Sequence, residues 1–236
     1  MKAVMKMPNG AVILLSGGLD SLVALGYLSD SAKYNIELAL TFDYGQKSAA
    51  KEIESSKKIC KFYNIKHKVI KLGWLKDITK TALVTGNEIP NKNFGTHKSM
   101  EKVWVPNRNG LFLNIAATFC DSYGYKYIIY GANKDEGDTF SDNTEVFRAD
   151  ITKVFETSTL VKPRVIAPLI NYGKDDIVKI AVEKGMPLEC IWSCYYNGEK
   201  HCGNCESCYH LKKSLKKNGF DNYLKIFFEN EDKVYK

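Results

Sequence analysis

The chain has 236 residues, 44% hydrophobic and 26% charged, with a net charge of +7, the balance of a globular chain long enough to bury a sizeable core. No apolar run approaches the roughly 20 residues of a membrane span, and Met1 to Gly10 lacks the apolar centre of an export signal, so a cytoplasmic protein with reduced thiols is expected. The charge is moderate and without a long Lys/Arg block, which suits an anionic small molecule or a weak nucleic-acid surface equally.

Ala11 to Leu15 is a short apolar run, Ser16 to Ser21 a polar turn with two glycines, and Leu22, Val23, Leu25 and Leu28 resume at helical spacing. This reads as strand, loop, helix. Paired glycines let backbone N–H groups approach an anion, and the helix presents its positive end to the same point. The spacing is not that of the GxxxxGK[ST] loop, and no Lys follows the glycines. Ser-Gly-Gly-x-Asp-Ser resembles the PP-loop of ATP pyrophosphatases. That resemblance implies that Leu15, Ser16, Gly17, Gly18, Leu19, Asp20, Ser21, Leu22, Val23, Ala24 and Leu25 form the ATP-binding segment, with Phe42 beside it.

Ile36–Phe42 is a second strand candidate, ending in Asp43, Tyr44, Gly45 and Gln46. Lys47–Tyr63 carries a helical stripe, and Lys66–Leu72 alternates as a third strand. Residues 73–103 have no clean period and are too long for a simple connection, which predicts a partly ordered loop over the active site. Within it His97 reads as a surface residue, and His67 as a structural residue of its strand. Pro106 fixes the approach to a helix over Gly110–Ser122, with Asn107, Arg108 and Asn109 at its start. A guanidinium there can clamp a phosphate or carboxylate in two-pronged fashion. Tyr127–Tyr130 is a fourth strand, followed by Gly131, Ala132, Asn133 and a polar loop to Thr144. Glu145–Leu160 reads as helix, Val165–Ile170 as a fifth strand and Lys174–Lys184 as helix.

Alternating strands and helices predict an α/β fold: a parallel five-stranded sheet with helices on both faces, ligands binding at the carboxyl ends of the strands. The division expected is a catalytic domain over 1–188 and a zinc-binding module with a helical tail over 189–236. In that tail Cys194, Cys202, Cys205 and Cys208 give C-x7-C-x2-C-x2-C. Four thiolates at these spacings converge on one tetrahedral Zn²⁺ and leave no open position, so the site is read as structural. Cys190 stands off the pattern.

The PP-loop, the Tyr44-Gly45-Gln46 turn, VPNRN before the central helix, the APLI stretch from Ala167 to Ile170, and WSC followed by CGxCxxC together resemble the QueC family of 7-cyano-7-deazaguanine synthases over roughly 12–211. The resemblance implies conversion of 7-carboxy-7-deazaguanine and ammonia to the nitrile preQ0 with ATP, Mg²⁺ and a Zn²⁺ site, usually in a homodimer, with no membrane or stable nucleic-acid partner. It places Ser16, Asp20, Ser21 and Arg108 in catalysis. Tyr44, Gln46, Arg108, Asn109, Asn133, Phe140 and Asp142 are then expected around the substrate. Where the family usually reads Gly-Tyr-Pro-Asp-Cys-Arg, this chain has Thr139 to Thr144, keeping an aromatic and the Asp. After Tyr-Gly-Gln it has Lys47 and Ser48 instead of the frequent Arg-His. Two other readings stay open: a PP-loop enzyme acting on a macromolecule, and a non-enzymatic zinc-ribbon binding module.

Overall fold

The computed structural model describes residues 9–86, 89 and 101–229. Five strands form one sheet in the order β3-β2-β1-β4-β5, all neighbours parallel: β1 (Gly10–Leu14), β2 (Asn35–Asp43), β3 (Lys66–Lys71), β4 (Tyr127–Ile129) and β5 (Arg164–Ile166). β1 is central because Gly10 to Leu14 is apolar on both faces, with Ala11, Val12 and Ile13 wholly buried.

The chain runs outward from β1 to β3, then crosses back over β1 to start β4. Right-handed crossovers therefore put α1 (Leu19–Ser29) and α2 (Ala49–Tyr63) on one face, and α4 (Arg108–Tyr123) and α6 (Glu145–Ser158) on the other. α2 packs on β2 and β3, and α4 on β1 and β4. The reversal opens a crevice beyond the carboxyl ends of β1, β2 and β4, where such sheets bind ligands.

Three expectations need correction. The fifth strand stops at Ile166 instead of reaching Ile170, since Pro168 has no N–H for the ladder and Ala167 to Ile170 turns instead, Ile170 N–H donating to Ala167 O at 3.3 Å. Residues 73–103 contain a short helix, α3 (Gly73–Ile78). The remaining part of that segment, with His97, lies largely outside the described residues. The loop after β4 is also partly helical, with α5 (Lys134–Gly137) capped by the Asn133 side chain and a 3-10 turn at Ser141–Asn143.

α7 (Lys174–Glu183) packs against both α1 and α8 (Glu206–Lys217), and α9 (Leu224–Phe227) follows. Asp175 at the start of α7 accepts from Ser214 Oγ at 2.6 Å and Lys217 Nζ at 2.5 Å. Buried Ile191, Trp192, Leu211 and Leu215 join the apolar core of the sheet.

Candidate active site

The end of β1 is fixed before its loop begins. Leu15 N–H donates to Leu40 O at 2.9 Å, while Leu15 O accepts from the hydroxyls of Thr41 at 2.6 Å and Ser56 at 3.0 Å. Gly17 then adopts φ +81°, and a Cβ on it would stand 2.7 Å from Glu52 O and 2.8 Å from Ser55 Cβ, so glycine alone lets the loop pass this close to α2. Gly18 precedes α1 without a capping side chain of its own, and beyond the Leu19 N–H the first turn of α1 points its amides toward an anion. Ser21 Oγ donates to Gly18 O at 3.0 Å and lies 3.2 Å from Ser16 Oγ.

Asp20, in the first turn of α1, meets Lys174 from the first turn of α7. Lys174 Nζ donates to both Asp20 oxygens at 2.7 Å and lies 3.5 Å from Glu136. Burial raises the Asp20 pKa, with Lys174 opposing it. Burial also pulls on Lys174, but Asp20 and Glu136 outweigh it and hold the ammonium above its ordinary value. Both groups line a cavity of about 400 Å³ whose floor is the loop from Leu14 to Ser21.

Aromatic and charged side chains line the rest of the cavity. Phe42 stacks on Phe112 with ring centroids 3.9 Å apart, and Phe140 lies nearly parallel to Trp104 at 5.9 Å. Arg108, the first residue of α4, hydrogen-bonds the Tyr44 hydroxyl and faces Asp142. Burial works against the Arg108 charge, and Tyr44 and Asp142 more than restore it. Burial raises the pKa of Asp142, and also that of Glu52, which accepts from Ser48 Oγ at 2.6 Å and Gln46 Nε2 at 2.8 Å.

The third wall comes from the cysteine segment. Trp192 N–H donates to Gly17 O at 2.8 Å, Leu19 N–H donates to Ser193 Oγ at 3.2 Å, and Ser55 Oγ donates to Cys190 O. Tyr195 and Glu206 line the cavity beyond them.

The four sulfurs of Cys194, Cys202, Cys205 and Cys208 lie within 4.8 Å of one another, and none is in a disulfide. Sulfurs in a tetrahedral site with bonds of about 2.3 Å stand about 3.8 Å apart, and Cys202 and Cys208 are separated by 3.9 Å. Backbone N–H groups already point at these sulfurs: those of Tyr196 and Cys202 at Cys194, and those of Asn204 and Cys205 at Cys202, at 3.3–3.4 Å. Amides arranged this way favour thiolate, so the donor set fits a metal ion.

Of the residues expected around ligands, Leu15, Ser16, Gly18, Leu19, Asp20, Ser21, Phe42, Tyr44, Arg108, Asn109, Phe140 and Asp142 all border this one cavity. Leu22, Val23, Ala24 and Leu25 are core residues of α1, and Gly17 is buried against α2. Gln46 turns inward, donating to Phe42 O at 2.9 Å and accepting from Tyr44 N–H at 3.0 Å, so it braces the turn that presents Tyr44. Asn133 is buried, its side-chain oxygen accepting from Glu136 N–H at 3.1 Å. Sequence reasoning missed Lys174, Glu52, Glu136, Ser193, Tyr195 and Glu206. The one available signal was Lys174 at a helix start after a strand, where a cation opposes the helix dipole and needs a local reason.

The sequence matches the family described as queuosine biosynthesis protein QueC over residues 10–219. It is 49% identical over 210 residues to the 7-cyano-7-deazaguanine synthase of Carboxydothermus hydrogenoformans, covering 86% of this chain and 97% of that one. It is 43% identical over 225 residues to the 7-cyano-7-deazaguanine synthase of Methanosarcina mazei, covering 91% and 96%. Among solved structures it is similar to the U34-tRNA thiolase NcsA of Methanococcus maripaludis, with its [4Fe-4S] cluster (TM-score 0.51, 17% identity, 96% of this chain and 72% of that chain). It is also similar to a 4-thiouridine synthetase in complex with RNA and bound ATP (TM-score 0.50, 22% identity, 90% and 51%). At these identities the structural likeness establishes a shared fold and nothing more.

Proposed function

The chain belongs to the QueC family, and from that premise we propose how its cavity carries out ATP-dependent synthesis of 7-cyano-7-deazaguanine. A carboxylate resists ammonia because oxide is a poor leaving group. Transfer of AMP from ATP to a carboxylate oxygen of 7-carboxy-7-deazaguanine releases pyrophosphate and makes AMP the leaving group. Ammonia then displaces AMP to give the amide, and a second adenylation, on the amide oxygen, permits loss of AMP and a proton to leave the nitrile.

The observation that carries this reading is that a single cavity is lined by both an anion-binding set and an aromatic, charged set of side chains. In the first set, the first turn of α1 with Ser16, Ser21 and Lys174 suits a phosphate chain. In the second set, Arg108, Tyr44, Asp142 and Phe140 suit a planar heterocycle bearing a carboxylate and hydrogen-bond donors. Catalysis is then positioning plus stabilisation of charge on the departing pyrophosphate and on the carboxylate oxygens. Mg²⁺ would ride on the phosphates, with the Asp20 and Glu136 carboxylates as neighbouring oxygens, and would neutralise phosphate charge. Zn²⁺ on the four cysteines would hold the third wall in place. No helix among the described residues is long and apolar enough to cross a membrane. We propose a cytoplasmic setting and a homodimer as part of the same reading.

Incubation with ATP, ammonium and 7-carboxy-7-deazaguanine should give the nitrile, with AMP and pyrophosphate as the nucleotide products, by mass spectrometry. Formation of ADP and phosphate in the first activation step, or a product that stops at an adduct with RNA or protein, would refute it.

A further inference from the structure

α1 begins at Leu19, and Gly18 at its N-cap has no side chain with which to cap the helix. That cap is supplied from 174 positions away, where Ser193 Oγ accepts the Leu19 N–H at 3.2 Å. The contact is held by Trp192 N–H on Gly17 O at 2.8 Å, and Ser193 borders the cavity beside Gly18, Asp20 and Ser21.

We propose that Ser193 is a phosphate-binding residue of the pyrophosphate cradle, its hydroxyl oxygen capping α1 while its proton is donated to a phosphate oxygen of ATP. The reason lies in the chemistry of the cap. A helix N-terminus is usually capped by Ser, Thr, Asp or Asn, and Asp combines a good acceptor with a favourable interaction with the helix dipole. At a site meant for an anion, a carboxylate cap would consume the positive end of the helix and repel the phosphates. A hydroxyl accepts the amide, adds no charge and retains a proton, and among the described residues no hydrogen bond uses that proton. Ser16 and Ser21 offer hydroxyls from within the loop, and Ser193 adds one from outside it.

The inference rests on the reading of this cavity as the ATP site. ATP and pyrophosphate binding to the purified full chain is measured by calorimetry, with metal content and melting temperature recorded for each variant. Ser193→Ala should weaken ATP roughly ten-fold, the usual loss for a hydrogen bond to a charged group, and Ser193→Thr should restore affinity to within about two-fold of wild type. Ser193→Asp should keep the melting temperature and metal content, yet bind ATP and pyrophosphate at least as weakly as the Ala variant. A purely structural cap predicts wild-type ATP affinity for a Ser193→Ala chain that keeps its melting temperature and metal content, and that result would overturn the proposal. If Ser193→Ala does not fold, Ser193→Cys takes its place: a thiol donates only weakly, so ATP affinity should fall with the melting temperature kept, and wild-type affinity would overturn the proposal. If the wild-type chain binds neither ATP nor pyrophosphate, the ATP reading fails and takes this inference with it. Wild-type binding with indifferent variants removes only the role of Ser193.

Discussion

Lys174 Nζ sits 2.7 Å from both carboxylate oxygens of Asp20, closing a salt bridge between the first turns of two helices. The two side chains are 15% and 22% exposed, so each depends on the other for its charge. Lys174→Met would leave Asp20 unpaired in a desolvated place and should cost about 3 kcal/mol of stability in urea unfolding. It should also impair ATP binding. Pairing it with Asp20→Asn should recover about 1–3 kcal/mol relative to the sum of the single changes. Strict additivity would mean that the pair is not coupled.

Gly17→Ala is expected to be disproportionately harmful. The residue lies at φ +81° and its new Cβ would stand 2.7 Å from the Glu52 carbonyl, so backbone rather than a flexible side chain must yield. The strain should amount to about 1–3 kcal/mol, and the displaced loop should lose most of its ATP affinity. Calorimetry alongside thermal melting checks both, and unchanged ATP affinity would contradict the loop geometry.

The cysteine site should hold one Zn²⁺ per chain. Cys202→Ser, or chelation of the wild type, should lower the melting temperature before it changes the chemistry, because binding energy in a closed four-thiolate site is folding energy. Elemental analysis with X-ray absorption checks the ligand set. Three sulfurs and a bound water would sink the structural assignment.

Asp142 is buried, accepts from Asn143 Nδ2 at 3.1 Å and feels the Arg108 charge in the cavity they both line. Asp142→Ala should raise KM for the deazaguanine about ten-fold, equivalent to about 1.5 kcal/mol, with ATP affinity almost unchanged. An unchanged KM would move recognition to Tyr44 and Arg108. The neighbouring departures from the family pattern have plain local roles. Asn143 steadies Asp142, while Thr144 caps α6, accepting Phe147 N–H at 3.2 Å and donating to Ser141 O at 2.8 Å.

His67 gives a pH dependence of stability. The Thr41 hydroxyl spends its proton on Leu15 O, so at their 2.8 Å contact His67 donates from Nε2. Burial, then the charge of Lys57, holds the His67 pKa below its ordinary 6.5. A depressed base is protonated first in the unfolded chain, so its contribution is intact above about 6.5 and is lost as pH falls through the folded value. His67→Gln should flatten that part of the stability curve in urea unfolding as pH falls below about 6.5. A slope identical to wild type would show that other groups cause it.

The parts of this molecule legible in sequence are those whose chemistry is local. The Ser16 to Ser21 loop and the four cysteines each bring their groups together within a few residues, and the five strands follow from short apolar runs. Lys174, Ser193 and Glu206 could not be read in that way, because what brings them to Asp20, Leu19 and the cavity is the docking of α7 and the cysteine segment. Gln46 illustrates the opposite limit. Its place beside Tyr44 was evident, but its inward turn to Phe42 O depends on backbone geometry that spacing does not encode.

The hydrogen bond from Trp192 to Gly17 spans most of the chain, and it sets an order of events during synthesis. A ribosome that has delivered β1 through α7 has made every strand of the sheet, yet the loop after β1 still lacks its clamp and the cavity its third wall. A nascent chain at that stage should hold nucleotide poorly, and ATP competence should arrive late, with the cysteine segment. Pyrophosphate release measured on stalled chains of increasing length would locate the step.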